Sequence, residues 1–171
     1  SYWTYDASWA HAGNTPFRLY KQNQHEGGIS TPLIVHWPRV ISKGGNIIHS
    51  MGHITDLMAT CLEVAGAKYP KTNNRGQKVM PLRGSSLAPI FRGGARQVTD
   101  PVFFHFSSNR AVRSGKWKLS WAGKGPWELY NMDKDRTELI DLSGKFARRA
   151  QEMAASWEQW FKATSGGTFK G

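Results

Sequence analysis

The chain has 171 residues, of which 39% are hydrophobic and 20% charged, and a formal net charge of +11. These figures exclude a disordered chain, no apolar run is long enough to cross a membrane, and the length suits one soluble globular domain or two small ones. The single cysteine, Cys61, excludes an internal disulfide and a thiolate metal cage, and its apolar neighbours predict an inert, buried thiol.

Such a positive balance attracts anions: nucleic acid, an anionic membrane, or sulfated and phosphorylated compounds. The basic residues are scattered, apart from Arg148-Arg149 and short Lys/Arg alternations. No basic helix stripe or RNA-binding signature appears, so neither nucleic acid nor a membrane is expected as a partner. The eight tryptophans predict dense aromatic packing ahead of ligand-stacking surfaces. The opening SYWTYDASWA starts in mid-pattern, as a mature or excised piece does, and indicates no compartment.

Residues 1–20 are aromatic and polar, with GNTP as loop punctuation. Gly27 and Gly28 mark a tight turn. ISTPLIVHW follows as a continuous apolar run, which predicts a strand buried on both faces and ended by Pro38. HITDLMATCLEVAG predicts a helix in which Ile54, Leu57, Met58, Cys61, Leu62 and Ala65 share one face, Thr55 or Asp56 caps the start and Gly66 stops the end. The polar, turn-rich stretch 67–81 predicts a boundary, giving domains 1–80 and 81–171. Beyond it PVFFHFSS, RAVRS, KWKLSWA and PWELYNM predict the strands of an antiparallel meander. In the third, Trp117, Leu119 and Trp121 share one face, while Lys116, Lys118 and Ser120 share a half-exposed one. DKDRTELIDLS predicts a compact turn. Phe146, Ala150, Met153, Trp157 and Trp160 or Phe161 form the apolar stripe of a long last helix. The expected architecture is a strand and helix over 32–66 belonging to a larger α/β sheet, then an antiparallel sheet packed by a helix from about 98 onward.

The motifs for chemistry are sparse. His49 and His53 have a spacing that can bind zinc on a helix, but Gly52 interrupts it and no third ligand is near, so a polar helix entry is expected instead. DKDRTELID alternates acids as a calcium loop does, yet lacks the glycine and glutamate such a loop requires. No metal ligand is therefore assigned in this chain. No G-x-S-x-G and no Gly-rich phosphate loop occurs. Lys21 remains. It lies five residues before Glu26, ahead of the Gly27-Gly28 turn, which allows close backbone approach and positive φ. A compact cation presented beside a buried strand suits a tetrahedral oxyanion at a sheet edge. The other reading is a solvated loop lysine.

The segment NTPFRLYKQNQHEGGISTPLIVHWP resembles one found late in the catalytic domain of type I sulfatases, the arylsulfatase family, where a lysine, a short spacer and Glu-Gly-Gly lead into an apolar strand ending in Trp-Pro. HITDLMATCLEVAG is similar to the helix that follows. GKWKLSW, PWELYNMDKDRTELIDLS and the Trp-rich last helix resemble the small C-terminal subdomain, so the likeness runs in order along nearly the whole chain. It implies the tail of an alkaline-phosphatase-like α/β sulfatase domain, followed by a small subdomain of antiparallel sheet packed by a C-terminal helix. It also implies a sulfuric ester hydrolase with a formylglycine nucleophile made from C/S-x-P-x-R, a calcium ion, a sulfated small molecule or glycan as substrate, and a periplasmic or secreted location. Lys21 matches the lysine that contacts the sulfate group or the leaving oxygen, and so is assigned as catalytic and substrate-binding. His25, adjacent to the motif, is either a further substrate-binding residue or a support.

The departures are as telling. C/S-x-P-x-R is absent, and Cys61 is followed by LEVAG. The paired aspartates of the metal site and the Asp-Asn-Gly motif are absent too. In the family these lie earlier, so a missing N-terminal sulfatase portion is an expected partner, and this chain alone is expected to bind no calcium and cleave no sulfate ester. LIVHW is expected to need strands that precede residue 1. Ser30 stands where many relatives place an arginine. The alternative function is a non-catalytic basic domain binding sulfated glycans or other polyanions; a structural remnant is a third.

Overall fold

The computed structural model describes residues 5–96, 98 and 101–166. In chain order the elements are α1 (Ala7–Ala12), α2 (Glu26–Ile29), α3 (Ile54–Ala65), α4 (Ala88–Phe91), β1 (Val102–Phe106), β2 (Asn109–Ser114), β3 (Trp117–Trp121), β4 (Glu128–Asn131) and α5 (Ala147–Ser165). By packing, the chain forms two compact units, Ser1–Pro32 with Asp100–Gly171, and Leu33–Thr99. These units cut the chain at 32/33 and 99/100 rather than near residue 80. Residues 1–4 of the aromatic opening, and positions 99 and 100 near the expected start of the sheet, lie outside the described residues.

The first unit holds the predicted meander, a four-stranded antiparallel sheet in the order β1-β2-β3-β4. Short connections leave sequential antiparallel pairing as the natural outcome. The register lines up Phe103, Val112, Leu119 and Leu129 as one row across all four strands. That row packs against Ala150, Met153 and Trp157 of α5, the predicted helical stripe. Trp157 is fully buried, stacks on Phe161 at 5.0 Å and donates Nε1–H to Phe104 O at 2.9 Å. Cutting a buried tryptophan to alanine typically costs about 3–5 kcal/mol, so this indole anchors the layer. On the same face the Arg110 guanidinium lies 3.4 Å over the Trp121 ring. Trp117, Trp127, Trp157 and Trp160 therefore serve packing, as expected, whereas Trp9 is exposed.

The opposite face differs from expectation. Lys118 and Ser120 are buried rather than half exposed. Asn109, Lys118, Glu128 and Tyr130 all point to this side, and each bonds to a group between Arg18 and Glu26. Alternation assigns residues to faces but does not reveal that a segment from the far end of the chain covers the second one.

In the second unit α3 forms where predicted. Its start is capped by His53, not by Thr55 or Asp56: the His53 imidazole accepts from Thr55 N–H, and Asp56 at N3 accepts from His53 N–H at 2.7 Å, completing a capping box. Its end is Gly66 in the left-handed region at φ 62°, with Ala67 N–H donating to Leu62 O. The buried face is the polar one. Asp56 accepts from Ser85 N–H at 2.8 Å and from Arg96 at 2.9 Å, and Thr60 accepts from Leu87 N–H at 2.9 Å. The apolar stripe of Ile54, Leu57 and Met58 is exposed, and so is Cys61, contrary to the expected buried thiol. The run ISTPLIVHW is likewise not a strand. Residues 30–37 carry no regular structure and Ile34 is 91% exposed. A strand is completed by partner strands, and every strand among the described residues belongs to the meander of the other unit.

Candidate functional site

Lys21 lies in the turn between α1 and α2 and is exposed. The backbone around it is unusual. Leu19 at φ 63° and Gln22 at φ 80° are both left-handed without being glycine, a conformation that costs energy and persists only where surrounding structure enforces it. The enforcement is visible. Asn23 N–H and Nδ2–H both donate to Tyr20 O, at 3.1 and 3.0 Å. Gly27 N–H donates to Arg18 O at 2.9 Å, and Asn109 at the start of β2 donates to Gln22 O at 2.9 Å.

Gly27 and Gly28 are where the sequence places close approach, and the structure agrees. A Cβ on Gly27 would overlap Leu19 O and stand 2.5 Å from Arg18 O, and one on Gly28 would overlap Asn23 O. Neither glycine has positive φ, so the expected conformational reason is replaced by a steric one: α2 folds back against the carbonyls of the Lys21 loop.

Below the loop lies a set of charges. Lys118 Nζ, 1% exposed, donates to Glu26 Oε1 at 2.9 Å. It also stands 2.9 Å from Glu138 Oε1, an ion-pair distance without hydrogen-bond alignment. Glu138 Oε2 accepts from Glu26 N–H at 2.6 Å. Arg136 Nη2 donates to Glu26 Oε2 at 3.2 Å and to Ser30 Oγ at 3.1 Å, so a guanidinium reaches the position where the resemblance expects an arginine. Arg18 donates to Glu128 at 3.2 Å and to the Tyr130 hydroxyl at 2.6 Å. The predicted compact turn carries Glu138: Asp135 accepts from Leu139 N–H at 3.0 Å and Ile140 N–H at 2.9 Å.

His25 is fully buried, with Nε2 2.9 Å from Glu128 Oε2. Burial pulls its imidazole below the ordinary histidine value of 6.5. At neutral pH it is therefore uncharged, with the Nε2 proton assigned from the Glu128 acceptor, and among the described residues Nδ1 has no partner. A side chain with no exposed surface presents nothing to a ligand in this structure, so of the two sequence candidates only Lys21 faces outward. Burial pushes Glu26 up, but the Lys118 charge and hydrogen bond and the Arg136 hydrogen bond bring it below 4.5. Burial also pushes Glu128 up, and hydrogen bonds from His25 and Tyr130 bring it below 4.5. Sequence reasoning missed Lys118, Glu128 and Glu138. The one signal available was a Glu-Gly-Gly turn whose glutamate needed a cation.

These directions set the pH response. Below about 6.5 the unfolded chain takes up a proton that folded His25 refuses, and below about 4.5 it takes up protons that folded Glu26 and Glu128 refuse. The unfolded state binds more protons in both windows, so stability rises with pH. The denaturant midpoint is expected to fall from pH 7 to 5 and again below 4.5; a midpoint that is flat or rises on acidification would contradict the assigned protonation states.

Comparison with known proteins matches the family described as N-sulphoglucosamine sulphohydrolase, C-terminal, over residues 17–162. An uncharacterized sulfatase of Schizosaccharomyces pombe is 30% identical over 159 residues, covering 90% of this chain and 28% of that protein. The N-acetylgalactosamine-6-sulfatase of Mus musculus is 31% identical over 142 residues, covering 81% of this chain and 25% of that protein. The crystal structure of Ps i-CgsB in complex with k-i-k-neocarrahexaose superposes with a TM-score of 0.69 at 27% identity, covering 86% of this chain and 32% of that one. The chain thus spans about a quarter to a third of the length of these relatives. Its fold class is the expected one, with the four-stranded antiparallel sheet and C-terminal helix of the small subdomain in place. By the match over 17–162, the chain belongs to the sulfatases, as the C-terminal portion of a member of that family.

Proposed function

We propose that this chain is the C-terminal part of an enzyme that hydrolyses sulfate esters, and that Lys21 is its contribution to the reaction. The observation that carries the reading is the mount beneath Lys21: an exposed ammonium on a loop with two left-handed non-glycine residues, closed by glycines that admit no Cβ. A cation held there donates to an oxygen of the sulfate group or to the ester oxygen that leaves. Negative charge collects on the leaving oxygen as the S–O bond breaks, so a fixed cation stabilises the transition state more than the bound ester.

The remaining parts belong to a missing N-terminal sulfatase portion. The sequence holds no C/S-x-P-x-R from which formylglycine, the family's nucleophile, is made. Among the described residues no group of three or more His, Cys, Asp or Glu could hold a metal. The residues present therefore do not fit the calcium site that the resemblance implies, and no step is routed through it. A sulfated small molecule or glycan as substrate is supported by the net charge of +11 and by the hexaose complex of the structural relative.

The test is turnover of an aryl sulfate. The full-length protein is expected to release the phenol, and residues 1–171 alone are expected to release none. Turnover by the isolated chain would overturn the division of labour. A full-length protein that binds sulfated glycans without cleaving any ester would establish the binding-domain reading instead.

A further inference from the structure

The sheet face opposite α5 carries more charge than a sheet needs. Desolvating Lys118, Glu26 and Glu138 costs about as much as their mutual attraction returns, and apolar residues of similar volume would serve stability as well. What the charges supply is geometry. Glu138 grips the first residue of α2 by its backbone, accepting from Glu26 N–H at 2.6 Å, while Lys118 grips the same residue by its carboxylate at 2.9 Å. Arg136, from the same turn as Glu138, reaches both the Glu26 carboxylate and Ser30 at the other end of α2. Glu138 is itself left-handed at φ 57°, on a turn that the Asp135 carboxylate ties through Leu139 and Ile140 N–H. A strained residue so firmly tied suggests that the turn is built to aim this side chain. α2 in turn closes on the Lys21 loop through Gly27 and Gly28.

From this chain of contacts we propose that Glu138, backed by Lys118, is a positioning residue for Lys21: the 135–140 turn sets α2, and α2 sets the loop that presents the ammonium. The proposal deepens the reading of Lys21 given above and rests on it. It makes the small C-terminal sheet a working part of the active site, although none of its residues in this network touches the ester.

The test uses the full-length protein with two readouts. In Glu138→Ala, amide exchange at Asn23 and Gly27 is expected to accelerate about tenfold or more, while exchange in β2 and β3 stays unchanged. With the loop loosened, kcat is expected to fall about tenfold, with KM little altered, because small misplacement of a charge lowers the rate steeply. Glu138→Gln keeps an oxygen for Glu26 N–H and is expected to restore most of both losses, which also covers the case in which the alanine variant folds poorly. In a Lys21→Ala background, Glu138→Ala is expected to lower kcat no further. Unchanged exchange in Glu138→Ala, or a kcat loss that persists in full without Lys21, overturns the proposal. Accelerated exchange together with wild-type kinetics in Lys21→Ala removes the reading of Lys21 and leaves the clamp on the loop standing.

Discussion

Replacing Lys21 with alanine in the full-length protein is expected to lower kcat and kcat/KM together by about a hundredfold or more, on the order of 3 kcal/mol, the usual effect of removing one preorganised contact to developing charge. The parallel fall is the diagnostic part. A lysine that only gripped the ground-state sulfate would raise KM and leave kcat alone. Lys21→Arg is expected to rescue poorly, since a planar fork does not replace a compact ammonium at a site shaped for a point charge. Both variants are expected to fold normally, because Lys21 is exposed in its turn. Steady-state kinetics and a urea titration on the same samples separate the outcomes. Wild-type kinetics in Lys21→Ala with unchanged stability would make it a solvated loop residue.

Gly27→Ala is expected to act through structure, with an effect of similar size. The new methyl would overlap Leu19 O and stand 2.5 Å from Arg18 O, both backbone atoms that no rotamer change can move. Accommodating it means opening α2 from the loop, which loosens the Glu26 contacts to Glu138 and Lys118. Overpacking of this kind costs about 1–3 kcal/mol, and loss of the buried charge contacts adds to it. The urea midpoint should fall accordingly, and activity with it. Gly28→Ala should behave alike, since its methyl would overlap Asn23 O and stand 2.8 Å from Tyr20 O. Gly44→Ala is the control: nothing lies within 4 Å of its added Cβ, so its stability should stay within about 0.5 kcal/mol of wild type. Equal stability of Gly27→Ala and Gly44→Ala would refute the close packing of α2 on the Lys21 loop.

Taken together, the two substitutions probe different links of one chain. Lys21 is expected to matter to the reaction and not to the fold. Gly27 is expected to matter to the reaction only because it matters to the fold. Glu138 stands between them, buried on its turn beside Lys118 and bonded to the backbone that follows Lys21.

Much of the small subdomain was legible in the sequence, because its signals are local. Alternation at Trp117, Leu119 and Trp121 and the helical stripe through Ala150, Met153 and Trp157 each name one face of one element. With short connections between the strands, such faces determine the meander and the helix that covers it. The α3 boundaries and its Gly66 stop were legible for the same reason. The order Lys, spacer, Glu-Gly-Gly marked Lys21 as a candidate, and the structure places it exposed in a turn. What covers a face was not legible. Lys118 reads as a half-exposed strand lysine until residues 18–30 close over it, and the contacts that bury it lie 92 positions away at Glu26. The apolar stripe of α3 reads as core, yet within this chain it is Asp56 and Thr60 that are buried, bonded to Ser85, Arg96 and Leu87 N–H. Periodicity records which side chains share a direction; only the packed chain decides what they meet there, and at this site that decision brings a strand lysine and a turn glutamate together on Glu26, beside the loop that carries Lys21.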